Sequence, residues 1–316
     1  MDYLPHALSA VGTVTLAYNS LQLVSGLSPY FRPSGLPRYH HGQPGTKWAL
    51  VTGASDGIGR GFVDNLLAQG FNVLMHGRNS SKLASIQEQL TAKHPNLDIR
   101  VVIADASAAH PDIDNIVAAV KRLPGKLTIL INNVGGIPPD STYQLLSNQN
   151  IDGVDEIVGI NARFPVLVTR AVLPELQRNA PALVMNIGSG AGLLSLPYVA
   201  TYSACKAFNH AFSRALGREM ATAGTNVEVL GILIGEVESA GNALAKADLF
   251  TCSSDTLAKA ALARVGCGRA LVWAWYRHML QYSVFALLPD FMVTRIAGSM
   301  MQQRRDETQQ AKAKAT

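Results

Sequence analysis

The chain has 316 residues, of which 48% are hydrophobic and 16% are charged, and its formal net charge is +5 at pH 7. This composition is typical of a globular protein with a large core and excludes a disordered or fibrous chain. The basic residues are scattered and do not alternate with aromatic residues, so we expect no nucleic-acid partner. The three cysteines form no C-x-x-C pair and the eight histidines form no H-E-x-x-H motif, so we expect neither a disulfide framework nor a metal site.

The N-terminal segment, residues 1–31, has no charged residue between Tyr3 and Phe31. Residues 7–27 are long enough to cross a bilayer, although seven polar residues interrupt the apolar ones. Three alternatives are open: a membrane-spanning anchor, a helix that lies in the membrane interface, and a helix that docks on the body of the protein. We expect membrane association, and the basic residues that follow the segment would then keep the rest of the chain in the cytosol. Residues 32–46, rich in proline and glycine, are interpreted as a linker.

Residues 47–300 are interpreted as a single domain in which strands and helices alternate. Several of the strand patterns are continuously apolar, which is typical of strands that are covered on both faces. We therefore predict an α/β fold with a doubly wound, Rossmann-like parallel sheet and helices on both of its faces. A long helix is predicted over residues 151–176, and it would carry Asn161 inward. The predicted strands cover residues 48–51, 71–75, 99–104, 126–131, 182–187 and 227–234.

The stretch 268–300 is rich in large apolar residues, which include Trp273, Tyr282 and Phe285. We interpret it as an amphipathic C-terminal extension that covers an apolar pocket or lies on a membrane, with ordinary core packing as the alternative. Residues 301–316 form a polar tail without periodicity, which we expect to be disordered.

The residues after the first predicted strand form a glycine-rich turn, T-G-A-S-D-G-I-G (52–59), and a helical pattern follows. A strand, a glycine turn and a helix in succession are the context of a dinucleotide-binding fingerprint. Gly53 permits a tight turn, Gly57 lets the backbone approach a pyrophosphate, and Gly59 lets the helix pack closely on the sheet. Free N–H groups at the start of the helix would then bind the phosphates. The residues of this turn that we assign to cofactor binding are Gly53, Ser55, Asp56, Gly57, Ile58 and Gly59.

Other polar or small residues follow the later strands. After the second strand, the acidic residue that would accept hydrogen bonds from the ribose of NAD is absent, and Arg78 is present instead. A guanidinium group suits the 2′-phosphate of NADP, so we predict NADP(H) as the cofactor, with an ordinary exposed arginine as the alternative. Asp105, Asn133 and Gly135 come at the carboxyl ends of the third and fourth strands, where the ligands of such sheets bind.

Tyr202 and Lys206 are four residues apart on a predicted helix, so they share one face of it. A free phenol has a pKa of about 10, and a neighbouring ammonium group would lower the pKa of Tyr202. Tyr202 would then donate a proton to a ketone or accept one from an alcohol. Ser189 ends the fifth strand and would hydrogen-bond the same carbonyl oxygen. A Y-x-x-x-K spacing that arises by chance and an ordinary turn serine are the alternatives.

These motifs occur together in the order found in the short-chain dehydrogenase/reductase family, which the chain resembles over residues 47–240. The resemblance implies a nicotinamide cofactor, to which Tyr202, Lys206 and Val237 would contribute. It implies that Tyr202 is the catalytic acid/base and that Ser189 orients the substrate carbonyl. Lys206 would lower the tyrosine pKa and hold the nicotinamide ribose, and Asn161 would hold a water molecule in the proton relay.

The resemblance is interrupted after the sixth strand. Members of the family carry a Pro-Gly turn and then Val-x-Thr, whose threonine contacts the carboxamide of the nicotinamide. Val237 fits this pattern, whereas we interpret Glu238 as the residue at the threonine position. Its carboxylate would repel the cofactor phosphate or accept a hydrogen bond from the carboxamide.

The chain also resembles the microsomal branch of the family that reduces 3-oxoacyl-CoA or 17-ketosteroids, on the phrases D-G-I-G (56–59), N-N-V-G (132–135) and A-T-Y-S-A-C-K-A-F (200–208). This resemblance implies an NADPH-dependent reductase of an apolar ketone, with a long-chain 3-oxoacyl-CoA as the first expectation. A steroid or polyketide-derived ketone is the alternative substrate, and a nucleotide-binding scaffold without turnover is the alternative from another class. We expect the endoplasmic reticulum membrane with a cytosolic catalytic domain, or else the cytoplasm. The family contains dimers and tetramers, so a homodimer is one alternative for the oligomeric state.

Overall fold

The computed structural model describes residues 3–41, 45–239, 242 and 245–315. The strands are β1 (Lys47–Thr52), β2 (Asn72–Gly77), β3 (Ile99–Ile103), β4 (Lys126–Asn132), β5 (Ala182–Ile187), β6 (Val227–Leu233), β7 (Val237–Glu238), β8 (Cys252–Ser253) and β9 (Leu271–Trp273). Seven of them form one parallel sheet in the spatial order β3-β2-β1-β4-β5-β6-β9, and β7 pairs with β8 outside it.

Helices connect the strands and cover both faces of the sheet. Side-chain caps begin several of them, as where the carboxylate of Asp56 accepts a hydrogen bond from the N–H of Gly57 at 2.7 Å. The α-helices are α1 (Tyr3–Leu27), α2 (Gly57–Ala68), α3 (Ser80–Lys93), α4 (Ile113–Lys121), α5 (Ile151–Val158), α6 (Phe164–Arg178), α7 (Ala191–Leu194), α8 (Ala200–Thr222), α9 (Ser254–Leu262), α10 (Tyr276–Phe285) and α11 (Asp290–Ala315).

The core lies on both faces of the sheet. All residues of β1, β2 and β5 are buried, which explains why the middle of each strand is an apolar run and does not alternate with polar residues. Along β1, Ala49 and Val51 join the core cluster on one face, and Trp48 and Leu50 join the cluster on the other face. The prediction of a doubly wound parallel sheet with helices on both faces is confirmed.

The long helix predicted over residues 151–176 is interrupted by a π-helical turn, Gly159–Arg163, between α5 and α6. Asn161 lies in this turn and is fully buried. Within the described residues, Ile151–Arg178 is the one helical segment long and apolar enough to cross a membrane, and half of its most apolar part is buried. Since it also carries Asn161 inward, we interpret it as a core helix.

Residues 32–41 pack against the body of the protein, which the interpretation as a linker did not anticipate. Leu36 is 4% exposed and Tyr39 is fully buried. The hydroxyl of Tyr39 donates a hydrogen bond to the carboxylate of Glu228 at 2.5 Å, and the Thr128 hydroxyl donates one to the Tyr39 carbonyl at 3.1 Å. Apolar side chains within this proline-rich sequence therefore bind it to the sheet. Residues 42–44 of the predicted linker lie outside the described residues.

The C-terminal stretch contains one strand and two helices. Part of it is core, because β9 adds a seventh strand beside β6 and Val272 is 6% exposed. The expectation of a disordered tail is wrong, since α11 extends to Ala315. Arg304 of α11 forms an ion pair with Glu236 at 2.5 Å, so a tertiary contact ties this polar sequence to the body of the protein.

Candidate active site

A cavity of about 470 Å³ lies at the carboxyl ends of the strands. One end is lined by the glycine turn, Arg78 and Asp105, and the other by Ser189, Tyr202 and Lys206. The structure therefore brings together residues that are more than 100 positions apart in the sequence. Because the strands are parallel, every loop that follows a carboxyl end reaches the same edge of the sheet.

The glycine turn bends tightly at the start of α2. A Cβ atom at Gly59 would lie 2.0 Å from the carbonyl oxygen of Gly53, so only glycine fits there. The side-chain amide of Asn133 donates to the carbonyl oxygens of Thr52 and Gly53 at 3.0 and 3.3 Å, which fixes the turn against the end of β4. A backbone turn this tight at the start of a helix fits the phosphates of a dinucleotide.

Some of the predicted residues of the glycine turn line the cavity and others do not. Gly53, Ser55 and Ile58 line the cavity, whereas Asp56, Gly57 and Gly59 are not among its lining residues. Asp56 caps α2 and forms an ion pair with Lys82 at 2.6 Å, and this ammonium group is the main cause that holds the pKa of Asp56 below its ordinary value. Asp56 therefore has a structural role in this turn that its sequence position did not reveal.

Arg78 and Asp105 line the same end of the cavity. Burial opposes ionisation of Asp105, but hydrogen bonds from Ser107 and the charge of Arg78 outweigh it and hold the Asp105 pKa below its ordinary value. His76 lies beside them with an exposure of 1%, and burial lowers its pKa to about 4. Neither ring nitrogen of His76 has a side-chain hydrogen-bond partner among the described residues, and both nitrogens are buried.

Tyr202 and Lys206 share one face of α8, as predicted from their spacing. The Nζ atom of Lys206 lies 5.5 Å from the centre of the Tyr202 ring and donates a hydrogen bond to the carbonyl oxygen of Ile187 at 3.1 Å. Burial raises the pKa of Tyr202 to about 12, and a hydrogen bond with Ser189 opposes that rise. Burial also lowers the pKa of Lys206 to about 8. The expected fall in the tyrosine pKa does not occur, because burial of the phenol raises this pKa and Lys206 is not among the groups that shift it.

Ser189 follows β5 and is 9% exposed. Its backbone N–H donates to Nε2 of His210 at 3.4 Å, and its hydroxyl accepts a hydrogen bond from the N–H of Ala191 at 3.2 Å. His210 follows Lys206 by four residues, so it belongs to the same face of α8. The sequence analysis missed His210, although the 202, 206, 210 spacing was the signal that could have found it.

Asn161 lies behind Lys206 rather than at the cavity surface. Its side-chain amide donates to the carbonyl oxygen of Gly136 at 2.6 Å and accepts from the N–H of Gly136 at 2.9 Å. A Cβ atom at Gly135 would lie 2.9 Å from Oδ1 of Asn161 and 3.1 Å from Nζ of Lys206. Asn209 donates to the backbone carbonyl of Asn161 at 2.8 Å. The π-helical turn therefore aims Asn161 at the two glycines that adjoin Lys206.

The loop after β6 corrects one sequence assignment. Val237 and Ser239 line the cavity, whereas Glu238 does not. Counting two residues on from Val237 places Ser239, and not Glu238, at the position of the threonine in Val-x-Thr. The backbone carbonyl of Glu238 accepts a hydrogen bond from Ser254 at 2.8 Å, and its side chain is exposed. No carboxylate therefore stands at the expected threonine position.

A fully buried histidine, His278 of α10, holds the same loop. Its Nδ1 accepts a hydrogen bond from the N–H of Gly235 at 3.1 Å, so its Nε2 carries the proton. Nε2 donates to the carbonyl oxygens of Glu236 and Phe250 at 3.1 and 3.0 Å. Burial lowers the pKa of His278. His278 is a second residue that the sequence analysis did not assign to the site.

Helices α10 and α11 form the wall beyond Tyr202. The ring of Tyr282 packs on Gly190, where a Cβ atom would lie 2.1 Å from its Cζ. Burial raises the Tyr282 pKa, and the neighbouring Tyr202 and Glu236 raise it further. Beyond Tyr282 lies an apolar groove, which we define by the residues that line it. These are Leu194, Leu196, Gln281, Tyr282, Phe285, Ala297, Met300 and Met301.

Comparison with known proteins agrees with this geometry. The sequence model of the short chain dehydrogenase family matches residues 47–249. A very-long-chain 3-oxoacyl-CoA reductase from Aspergillus clavatus is 37% identical over 224 residues, which cover 71% of this chain and 63% of that protein. A putative steroid dehydrogenase 1 from Caenorhabditis elegans is 28% identical over 301 residues, which cover 93% of this chain and 92% of that protein.

Among solved structures, a 7beta-hydroxysteroid dehydrogenase has the same fold. Its TM-score is 0.69 at 20% sequence identity, and the match covers 80% of this chain and 96% of the other. At this identity the likeness concerns the fold of the chain.

Proposed function

The chain belongs to the short-chain dehydrogenase family of oxidoreductases, and on that premise we propose that it reduces the ketone of an apolar substrate with NADPH. The observation that carries the proposal is the convergence of Ser189, Tyr202 and Lys206 at one end of a cavity whose other end holds Arg78. NADPH supplies the hydride when it is bound. The residues of the chain bind and orient the reactants and supply a proton.

Tyr202 is the proton donor in this proposal. Its hydroxyl donates to the carbonyl oxygen of the ketone, while the Ser189 hydroxyl stabilises the negative charge that develops on that oxygen. The ammonium group of Lys206 favours the phenolate that remains after the transfer. Asn161 acts by holding Gly136 and the neighbouring backbone against Lys206, because its amide is already bonded to that backbone. The role expected for Asn161 was to hold a water molecule in the proton relay, and in this proposal it supports Lys206 instead.

NADP(H) is supported by the residues at the other end of the cavity. Arg78 offers a guanidinium group without an acidic residue in the position that would favour NAD. The glycine turn and the N-terminus of α2 would hold the pyrophosphate, and Asp105 and Asn133 border the turn. Val237 and Ser239 are placed to line the nicotinamide end.

A long-chain 3-oxoacyl-CoA is the substrate that we propose first. The apolar groove adjoins Tyr202 through Tyr282, and apolar side chains form most of its lining. Val284 and Met300, which belong to α10 and α11, are exposed apolar residues. The volume of the groove is about 60 Å³, so it admits a short part of a hydrocarbon chain, and the rest of a long chain would lie on the neighbouring surface. The name of the Aspergillus clavatus relative supports this substrate, and the name of the Caenorhabditis elegans relative supports a steroid as the alternative.

The exposed surface of α1 supports membrane association, and we propose the endoplasmic reticulum membrane as the location. Apolar side chains on all sides of α1 are exposed, including Leu8 (65%), Leu16 (70%) and Leu21 (67%). The helix has 25 residues and is about 37 Å long at 1.5 Å per residue, but its polar residues leave it less apolar than Ile151–Arg178, so its exposed apolar surface, and not its length, supports the association.

The test is NADPH oxidation by the full chain against 3-oxoacyl-CoAs of increasing length, steroid ketones and aromatic polyketide ketones. We expect turnover with one class, and Tyr202→Phe should reduce kcat by about 10²- to 10⁴-fold while NADPH binding persists. Tyr276→Phe, which removes an exposed phenol outside the cavity, is the matched control. NADPH binding without turnover on any ketone would instead favour a scaffold.

A further inference from the structure

A second cleft of about 470 Å³ lies at the opposite end of the sheet, where β6 begins. Because β6 runs from Val227 to the active-site cavity, the two clefts are about one strand length, roughly 20 Å, apart. Arginines from three parts of the chain line this cleft, which we call the arginine cleft. They are Arg38, Arg214, Arg218 and Arg269.

The arginine cleft has an excess of positive charge. Glu228 is the one acidic residue among the described residues that line it, which leaves a net charge of +3 from four arginines and one carboxylate. The carboxylate of Glu228 is already used, because it pairs with Arg38 and accepts hydrogen bonds from the Tyr39 hydroxyl at 2.5 Å and the Gly266 N–H at 2.9 Å.

Two arginines of the cleft are available to a ligand. Arg214 and Arg218 lie one turn apart on α8 and are exposed, and neither forms an ion pair within the part of the chain that the structure describes. Repulsion between neighbouring guanidinium groups is relieved when an anion bridges them. The forked hydrogen-bond donors of arginine match the oxygens of a phosphate group in bidentate geometry, so one phosphate group would bridge both side chains.

The cleft lies beside the point where α1 leaves the body of the protein. Arg269 donates hydrogen bonds to the carbonyl oxygen of Ser25, at 3.0 Å, and to its hydroxyl, at 2.5 Å, near the end of α1. The chain after α1 is fastened to the body, since Arg264 donates to the Pro29 carbonyl at 2.6 Å and the Tyr30 hydroxyl donates to the Trp273 carbonyl at 2.9 Å. The apolar helix and the arginines are therefore held next to each other.

We propose that the arginine cleft binds the phosphate group of an anionic membrane lipid. The apolar residues of α1 would meet the hydrocarbon of the bilayer, and the cleft at its base would then lie at the level of the headgroups. A soluble phosphate offers the same group to the arginines, but it gains nothing from the exposed apolar helix at the rim. The site is separate from the cavity that holds Tyr202, so it does not depend on the reductase assignment.

The test is flotation of the full chain with vesicles of phosphatidylcholine alone and with vesicles in which part of this lipid is replaced by phosphatidate. Wild type should bind the phosphatidate vesicles about tenfold more tightly, and added salt should reduce the gain. The double variant Arg214→Gln/Arg218→Gln should lose the tighter binding to phosphatidate vesicles and keep the binding to phosphatidylcholine vesicles that α1 provides. Arg122→Gln/Arg170→Gln removes the same charge from exposed positions outside the cleft and should keep the gain.

Two outcomes would overturn the proposal. One is a cleft variant that binds phosphatidate vesicles as tightly as wild type. In the other, wild type binds phosphatidate vesicles no more tightly than phosphatidylcholine vesicles, but inorganic phosphate raises its melting temperature and does not raise that of the cleft variant. This result would identify a site for soluble phosphate. NADPH binding and the melting temperature of each variant report whether its fold is intact.

Discussion

The ammonium nitrogen of Lys206 lies 5.5 Å from the centre of the Tyr202 ring, in a place where only 4% of the lysine is exposed. Burial lowers the pKa of Lys206 from 10.5 to about 8, so the residue is still protonated at pH 7. A shift of this size costs about 3 kcal/mol of the free energy of unfolding at pH 7. The buried charge to which we assign a part in proton transfer therefore destabilises the fold.

Lys206→Met should be inactive and more stable than wild type. We expect a gain of up to about 3 kcal/mol at pH 7, because an apolar side chain replaces a desolvated charge. Between pH 8 and 10.5 the unfolded chain binds more protons than the folded chain, so wild-type stability rises and the difference shrinks. Urea unfolding at pH 7 and pH 10 measures both effects. Lys121→Met, at an exposed position, should show neither, and a Lys206→Met variant less stable than wild type would refute the argument.

The sequence predicted what depends on local patterns. The strands around residues 48–51 and 182–187 are continuous apolar runs, and the Gly53 turn is a local motif, so both were recognised. β9 has only three residues, Leu271–Trp273, and so short a strand gives no periodicity to recognise. The second part of α11, after Met301, is polar and has no apolar periodicity, so the sequence pattern did not predict its helix, which the ion pair between Arg304 and Glu236 ties to the body of the protein.

The missed site residues have a different cause. His210 and His278 carry no motif of their own, and each is important because of a backbone N–H that approaches it from a distant part of the chain. The assignment of Glu238 failed for a simpler reason, since shifting the register of a loop by one residue exchanges an inward side chain for an outward one. Tertiary contacts identify His278, whereas the spacing of residues 202, 206 and 210 could have identified His210.

Arg78 should determine the choice between NADPH and NADH. Arg78→Ala should raise the KM for NADPH by about 10- to 100-fold, because hydrogen bonds to a charged group contribute about 1.5–3 kcal/mol, and it should leave the KM for NADH unchanged. Steady-state kinetics with both cofactors measure this. Lys93→Ala removes the same charge from the exposed end of α3 and serves as the control. Equal losses with both cofactors would mean that Arg78 does not contact the 2′-phosphate.

Stability should fall as the pH is lowered below 6.5. Burial lowers the pKa of His76 and of His210 to about 4, so between pH 6.5 and 4 the unfolded chain binds more protons at these residues than the folded chain. At pH 5 each histidine should cost about 2 kcal/mol relative to pH 7.5. Urea unfolding at the two pH values measures the loss. His210→Gln should reduce it by about half, whereas His110→Gln, at an exposed position, should not change it.

His278 should position the loop that lines the nicotinamide end of the cavity. His278→Leu leaves the N–H of Gly235 and the carbonyl of Glu236 without partners, so we expect a loss of about 1–3 kcal/mol in stability and a higher KM for NADPH. His278→Asn keeps an acceptor near Gly235 and should recover part of the cofactor affinity at similar stability. NADPH titration and urea unfolding of both variants test this. Equal NADPH affinity in the two variants would show that His278 acts on stability alone.

The apolar groove should select substrates by chain length. Ala297 is 4% exposed and lines the groove, so Ala297→Phe would fill it with an aromatic ring. We expect kcat/KM for long 3-oxoacyl-CoAs to fall by about tenfold or more, since a chain excluded from the groove loses about 0.8 kcal/mol per CH₂ that it would have buried. Short 3-oxoacyl-CoAs end before the groove and should be unaffected. Ala286→Phe, at an exposed position after α10, controls for the added ring. A uniform loss across all chain lengths would place the acyl chain elsewhere.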